Sequence, residues 1–112
     1  MNLTEDKPLK YRMAYQVQVT TPTKELAQAL AKVLLAQKLA ACVQILGPVE
    51  SHYEWEGQLE KSEEWLCLIK CTREKYPILE STISHLHPYE VPEIIAVPIE
   101  KGLKSYLDWM KK

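Results

Sequence analysis

The chain has 112 residues, 46% of them hydrophobic and 26% charged, and its 14 basic and 15 acidic side chains leave a formal charge of −1. That balance fits one folded domain and excludes a collagen-like or disordered chain. With no Lys/Arg cluster along one face, and no apolar stretch near the roughly 20 residues that span a bilayer, neither nucleic acid nor a membrane is an expected partner.

The segment Met1–Lys10 is polar, of mixed charge, and without the apolar core of a secretion signal. It is expected to be a flexible lead-in to a single domain over residues 11–112, and the expected location is the cytoplasm. From Tyr11 to Thr21, Met13, Tyr15, Val17 and Val19 alternate with polar residues, the period of a half-buried strand. After Pro22, placed for a first helical turn, Leu26, Leu30, Val33 and Leu34 recur at helical spacing, which predicts a helix over Thr23–Lys38. The β-branched run from Leu39 to Leu46 opens a second strand, which continues past a kink at Gly47-Pro48 with Val49, Ser51, Tyr53 and Trp55 alternating against charged residues. A turn at Gly57-Gln58 leads back into an apolar strand, Glu64–Thr72, so a long hairpin is expected from about Ala41 to Thr72.

Tyr76, Leu79, Ile83 and Leu86 then fall at spacings of three and four, predicting a helix over Arg73–Leu86 with Pro77 in its first turn. A proline-framed loop leads to a fourth strand, Glu93–Ile99, whose Pro92 and Pro98 suit a sheet edge. Ser105-Tyr106-Leu107-Asp108 has the form of a capping box opening a short terminal helix. The order β-α-β-β-α-β with an added helix is the α+β, ferredoxin-like arrangement: an antiparallel sheet with its helices on one face. Two helices of this length leave much of the hairpin uncovered, with Tyr53 and Trp55 on one of its faces, and such a surface invites a homo-oligomer.

The most chemically loaded stretch is His85-Leu86-His87-Pro88-Tyr89-Glu90-Val91-Pro92-Glu93. Its prolines stiffen the backbone and hold His87 and Val91 extended. His87 is either a metal ligand or proton-transfer group or, more plainly, the residue that closes the second helix by bonding its last carbonyls. His85 lies two positions away and cannot share an ion with it on a regular helix. Cys67 and Cys71 share a strand face but stand roughly 13 Å apart, too far for one tetrahedral ion, and read as core residues. Cys42, in a small apolar run, reads likewise as buried, and with three cysteines lacking a framework spacing, disulfides are not expected. Of the carboxylates near the hairpin turn, Glu56, Glu60, Glu63 and Glu64, most read as a solvated end. Lys70 interrupts an apolar run and needs a partner such as Glu64 or Glu93. No GxSxG, P-loop, GxGxxG or HExxH is present, so an enzyme is not expected.

Taken together, Leu39-Ala40-Ala41-Cys42-Val43, Tyr53-Glu54-Trp55-Glu56-Gly57, Glu64, Lys70, His87-Pro88-Tyr89-Glu90-Val91-Pro92-Glu93-Ile94 and Tyr106-Leu107-Asp108-Trp109 resemble the CutA family of divalent-ion tolerance proteins. The resemblance covers about residues 13–110 and implies a cytoplasmic homotrimer, joined through sheet edges and the long hairpins and similar in architecture to PII-like signal proteins. It implies a non-catalytic role in tolerance of copper or another divalent metal ion, with no organic cofactor. Val19 and Leu86 stand where some members carry proposed copper ligands, leaving His87, His85 and Cys42 as candidate metal ligands. It also implies that Trp55, Glu64, Lys70, Tyr89 and Glu93 line a cleft between subunits. Such a cleft, with a lysine beside its carboxylates, suits a small anionic or zwitterionic ligand as well as an ion; a rigid scaffold for another protein is the remaining alternative.

Overall fold

The computed structural model describes residues 14–111. The expected lead-in Met1–Lys10 and residues 11–13 of the expected first strand lie outside them. The elements run β1 (Ala14–Thr21), α1 (Lys24–Ala36), β2 (Cys42–Trp55), β3 (Gln58–Thr72), α2 (Tyr76–Leu86), β4 (Ile94–Ile99) and α3 (Lys104–Met110). All neighbouring strands are antiparallel, in the order β2-β3-β1-β4, so the proline-bearing β4 is at an edge, as expected. Among the described residues no helix is long and apolar enough to cross a membrane.

The two-residue alternation of the strands decides which side is buried. Val17 pairs with Ile69 and Ala96, and Val19 with Cys67 and Ile94. These residues face α1 and α2 and pack with Ala27, Leu30, Leu34, Leu79 and Ile83 into one core. Cys67 and Cys71 are buried in it as core residues, whereas Cys42 is only half-buried. The opposite face of the sheet presents Leu46, Ile95 and Val97 to solvent.

Local chemistry explains the element ends. Thr23 caps α1 by accepting the Leu26 N–H at 3.1 Å, so Pro22 precedes the cap instead of opening the first turn. At the other end, Lys38 has φ 57°, its N–H donates to Leu35 O, and the Leu39 N–H donates to Leu34 O, a left-handed closure of the helix made without glycine. Pro77 sits in the first turn of α2, where the missing N–H is harmless. The expected capping box of α3 does not form. Leu103 is the N-cap, and Asp108 instead binds Lys104 at 2.7 Å, one helical turn back.

The hairpin has the expected extent, but β3 starts at Gln58, six residues ahead of the expected Glu64, and the turn is made by Glu56 and Gly57, both at positive φ. It stretches the molecule to 56 × 29 × 24 Å. Leu46 pairs with Leu66 but Val49 pairs with Glu64, so β2 holds one extra residue at the cis Gly47-Pro48 bond. This bulge reverses the alternation of β2 relative to β3. Beyond it, Ser51 and Tyr53 share a face with Ser62, Glu60 and Glu64, the face turned away from the helices. Gly47 is required there because the Trp65 ring lies against it, and an added Cβ would stand 2.7 Å from Trp65 Cδ2. Gly47→Ala is expected to destabilise the protein by about 1–3 kcal/mol through this overpacking; an unchanged urea midpoint would show that the indole moves aside freely.

Candidate functional site

The site is organised by His87, the C-cap of α2, whose backbone is extended at ψ 136° as the following proline demands. Its N–H closes the helix on Ile83 O at 2.9 Å. The side chain does not return to the helix carbonyls. It is 7% exposed, and its Nε2 lies 2.7 Å from Thr20 O on β1 while its Nδ1 lies 3.2 Å from the Tyr89 N–H. A carbonyl only accepts and an amide N–H only donates, so the ring is held as the neutral Nε2–H tautomer. Both nitrogens are thereby occupied, and His87 has no lone pair left to offer a metal ion.

Tyr89 is fixed next. Its ring packs against His87 at a tilt of 54° with centroids 4.7 Å apart, and its hydroxyl donates to Glu64 Oε2 at 2.9 Å. Burial first, and then the bond to this carboxylate, pushes the Tyr89 hydroxyl up to about 12, so it remains a donor at every physiological pH. Glu64 itself is 6% exposed, and among the described residues no cationic side chain pairs with it.

Around this pair, the hairpin and the loop after α2 enclose a cleft of about 830 Å³. Trp55, Glu64, Tyr89 and Glu93 all line this cleft within one chain. Lys70 does not. It lies six residues along β3 from Glu64, roughly 20 Å away, and donates to Gln44 Oε1 at 2.6 Å, so its partner is neither of the expected carboxylates. The candidate metal ligands are not brought together either. His85 borders a separate shallow depression with Glu80 and Ser84, and Cys42 pairs with Lys70 on the strand ladder. Among the described residues no group of three His, Cys, Asp or Glu side chains converges on one point. His87, His85 and Cys42 of one chain therefore do not form a metal centre.

The cleft adds lining residues that the sequence did not single out for it, namely Thr20, Ser51, His52, Glu60 and Glu90, together with Tyr53. The period-two pattern already put Ser51 and Tyr53 beside Trp55 on one face; what was hidden is the bulge that turns this face toward Glu64. With Lys70 at the far end of β3, four glutamates line the cleft and, among the described residues, no lysine or arginine does.

Residues 15–112 match the family model described as CutA1 divalent ion tolerance protein. The chain belongs to this CutA1 family. It is 43% identical over 96 residues to the divalent-cation tolerance protein CutA of Thermus thermophilus, covering 86% of this chain and 93% of that one. The solved structure of that Thermus protein superposes with a TM-score of 0.86 at 42% identity, covering 88% of this chain and 96% of the other. The structure described as the periplasmic divalent cation tolerance protein CutA from Archaeoglobus fulgidus gives 0.85 at 41% identity, with 88% and 95% covered. The ferredoxin-like fold of this chain is thus shared with these CutA structures, and the loop from His87 to Glu93 walls the cleft.

Proposed function

We propose that this CutA1 protein is a non-catalytic, cytoplasmic homotrimer that serves divalent-metal tolerance by binding cations in the cleft between its hairpin and the loop after α2. The observation that carries this reading is the charge of the cleft: Glu60, Glu64, Glu90 and Glu93 line it with no lysine or arginine among the described residues, and Glu64 is buried with no cationic partner among them. An anionic ligand would need a cation such as Lys70 among these carboxylates, and is disfavoured by the same residues. Three free thiols suit a reducing compartment. Trimer formation is supported by the exposed Leu46, Ile95 and Val97 on the sheet face turned away from α1 and α2, and by the projecting hairpin, where Leu59 is 88% exposed.

Copper is the divalent ion to test first, with calorimetric titration of Cu(II) into wild type and Glu64→Gln. Binding in wild type that weakens about tenfold or more in the variant is expected, in line with the loss of a charged contact. Equal affinity in the two proteins would place any bound copper elsewhere and defeat this reading of the cleft. Sedimentation velocity gives the assembly, and a monomer at micromolar concentration would overturn the trimer.

A further inference from the structure

The lining of the cleft says which cations it takes. Its carboxylates are spread out: Glu60 and Glu64 are four residues apart on β3, roughly 13 Å, and Glu90 and Glu93 stand on the facing loop. No three such donors among the described residues converge on one point, so within one chain a bare ion would meet at most two of these side chains. The walls between the acids are aromatic. Tyr53 and Trp55 are 45% and 40% exposed, and Tyr89 completes the lining. Finally, Glu64, which lines the cleft, is more than nine-tenths buried with Oε2 committed to Tyr89, while Oε1 takes no hydrogen bond from the described residues.

From this juxtaposition we infer that the cleft is a site for a linear aliphatic polyamine, whose separated ammonium groups match separated carboxylates and whose methylene spacers lie on Tyr53 and Trp55. The inference rests on the cleft being the cation site proposed above. One ammonium donates to Glu64 Oε1 and supplies the missing counter-charge. The others reach Glu60 and the loop carboxylates, and the indole and phenol faces attract the cationic chain. Spaced charges with apolar contact between them are what a polyamine offers this cleft beyond the charge of a single small ion.

Spermidine is the probe, titrated calorimetrically into the full chain at about 150 mM salt, where exposed charges are screened, beside Mg(II) and Cu(II). Specific binding is expected, about tenfold weaker in Trp55→Ala and in Glu64→Gln; Glu93→Gln serves should Glu64→Gln fail to fold. Spermidine binding left intact by Trp55→Ala would mean attraction by charge alone and would overturn the proposal. Copper binding that depends on Glu64, with no spermidine binding, would overturn it while leaving the metal reading in place. If neither binds, both readings fail.

Discussion

His87→Ala is expected to lower the free energy of unfolding by about 2–5 kcal/mol. Removing the imidazole leaves the buried Thr20 C=O and the part-buried Tyr89 N–H without the partner each has now, at about 1–3 kcal/mol for each group and toward the lower end for the latter, and opens a cavity besides. The loss is also functional. His87 ties the loop that carries Tyr89 and Glu93 to β1, so without it the Tyr89–Glu64 bond loses its alignment and the cleft loses one wall. His87→Gln retains a donor able to reach Thr20 O and is expected to lose much less than the alanine variant. Urea denaturation of the three proteins decides the matter: an alanine variant as stable as wild type would show that the imidazole anchors nothing.

Above pH 9 the protein is expected to lose stability steeply. Burial raises the thiols of Cys67 and Cys71 from 9.0 to about 11, the rise at Cys71 being opposed in part by the Lys75 charge. A raised value means that the folded chain keeps a proton that the unfolded chain releases. Stability from these groups is therefore complete below pH 9 and is lost as pH rises to about 11, by about 2–3 kcal/mol per thiol, since each pH step that separates the folded from the unfolded value is worth about 1.4 kcal/mol. Tyr76 and Tyr89, raised by burial and by their bonds to Glu80 and Glu64, extend the decline from pH 10 to about 12. Urea midpoints at about pH 8, 10 and 11, which bracket this window, measure the slope. A Cys67→Ala, Cys71→Ala double variant, weaker at the lowest of these because of its cavities, is expected to show the flatter profile, and a flat wild-type profile would contradict the assignment.

The order of elements and the buried face of each strand were legible because they depend on periods of two and 3.6 that single residues cannot hide. Val17 and Val19 alternate into the core, and Leu30 and Leu34 share a helix face with Ala27. The site was legible in part. Trp55, Glu64, Tyr89 and Glu93 meet within one chain, yet Lys70, on the same sheet face as Glu64, sits at the far end of the strand beside Gln44. Sharing a face says nothing about distance along it. The role of His87 was undecided in sequence terms because its decisive partner is the carbonyl of Thr20, 67 residues away, and a main-chain atom carries no signature in the sequence. The capping box failed for a local reason: Ser105 lies inside α3, while Lys104 offers Asp108 a charged partner that a backbone N–H cannot match.

The extra residue at Gly47-Pro48 has a counting consequence. Because side chains alternate strictly, everything distal to it owes its facing to whether the number of residues before it is odd or even. Deleting one residue there would roll the hairpin tip by half a turn, delivering Glu50 and Glu54 to the cleft and withdrawing Tyr53 and Trp55. Length changes in this arm are therefore tolerable only in pairs, and β2 works as a parity code in which a single deletion rewrites the binding surface without altering one side chain.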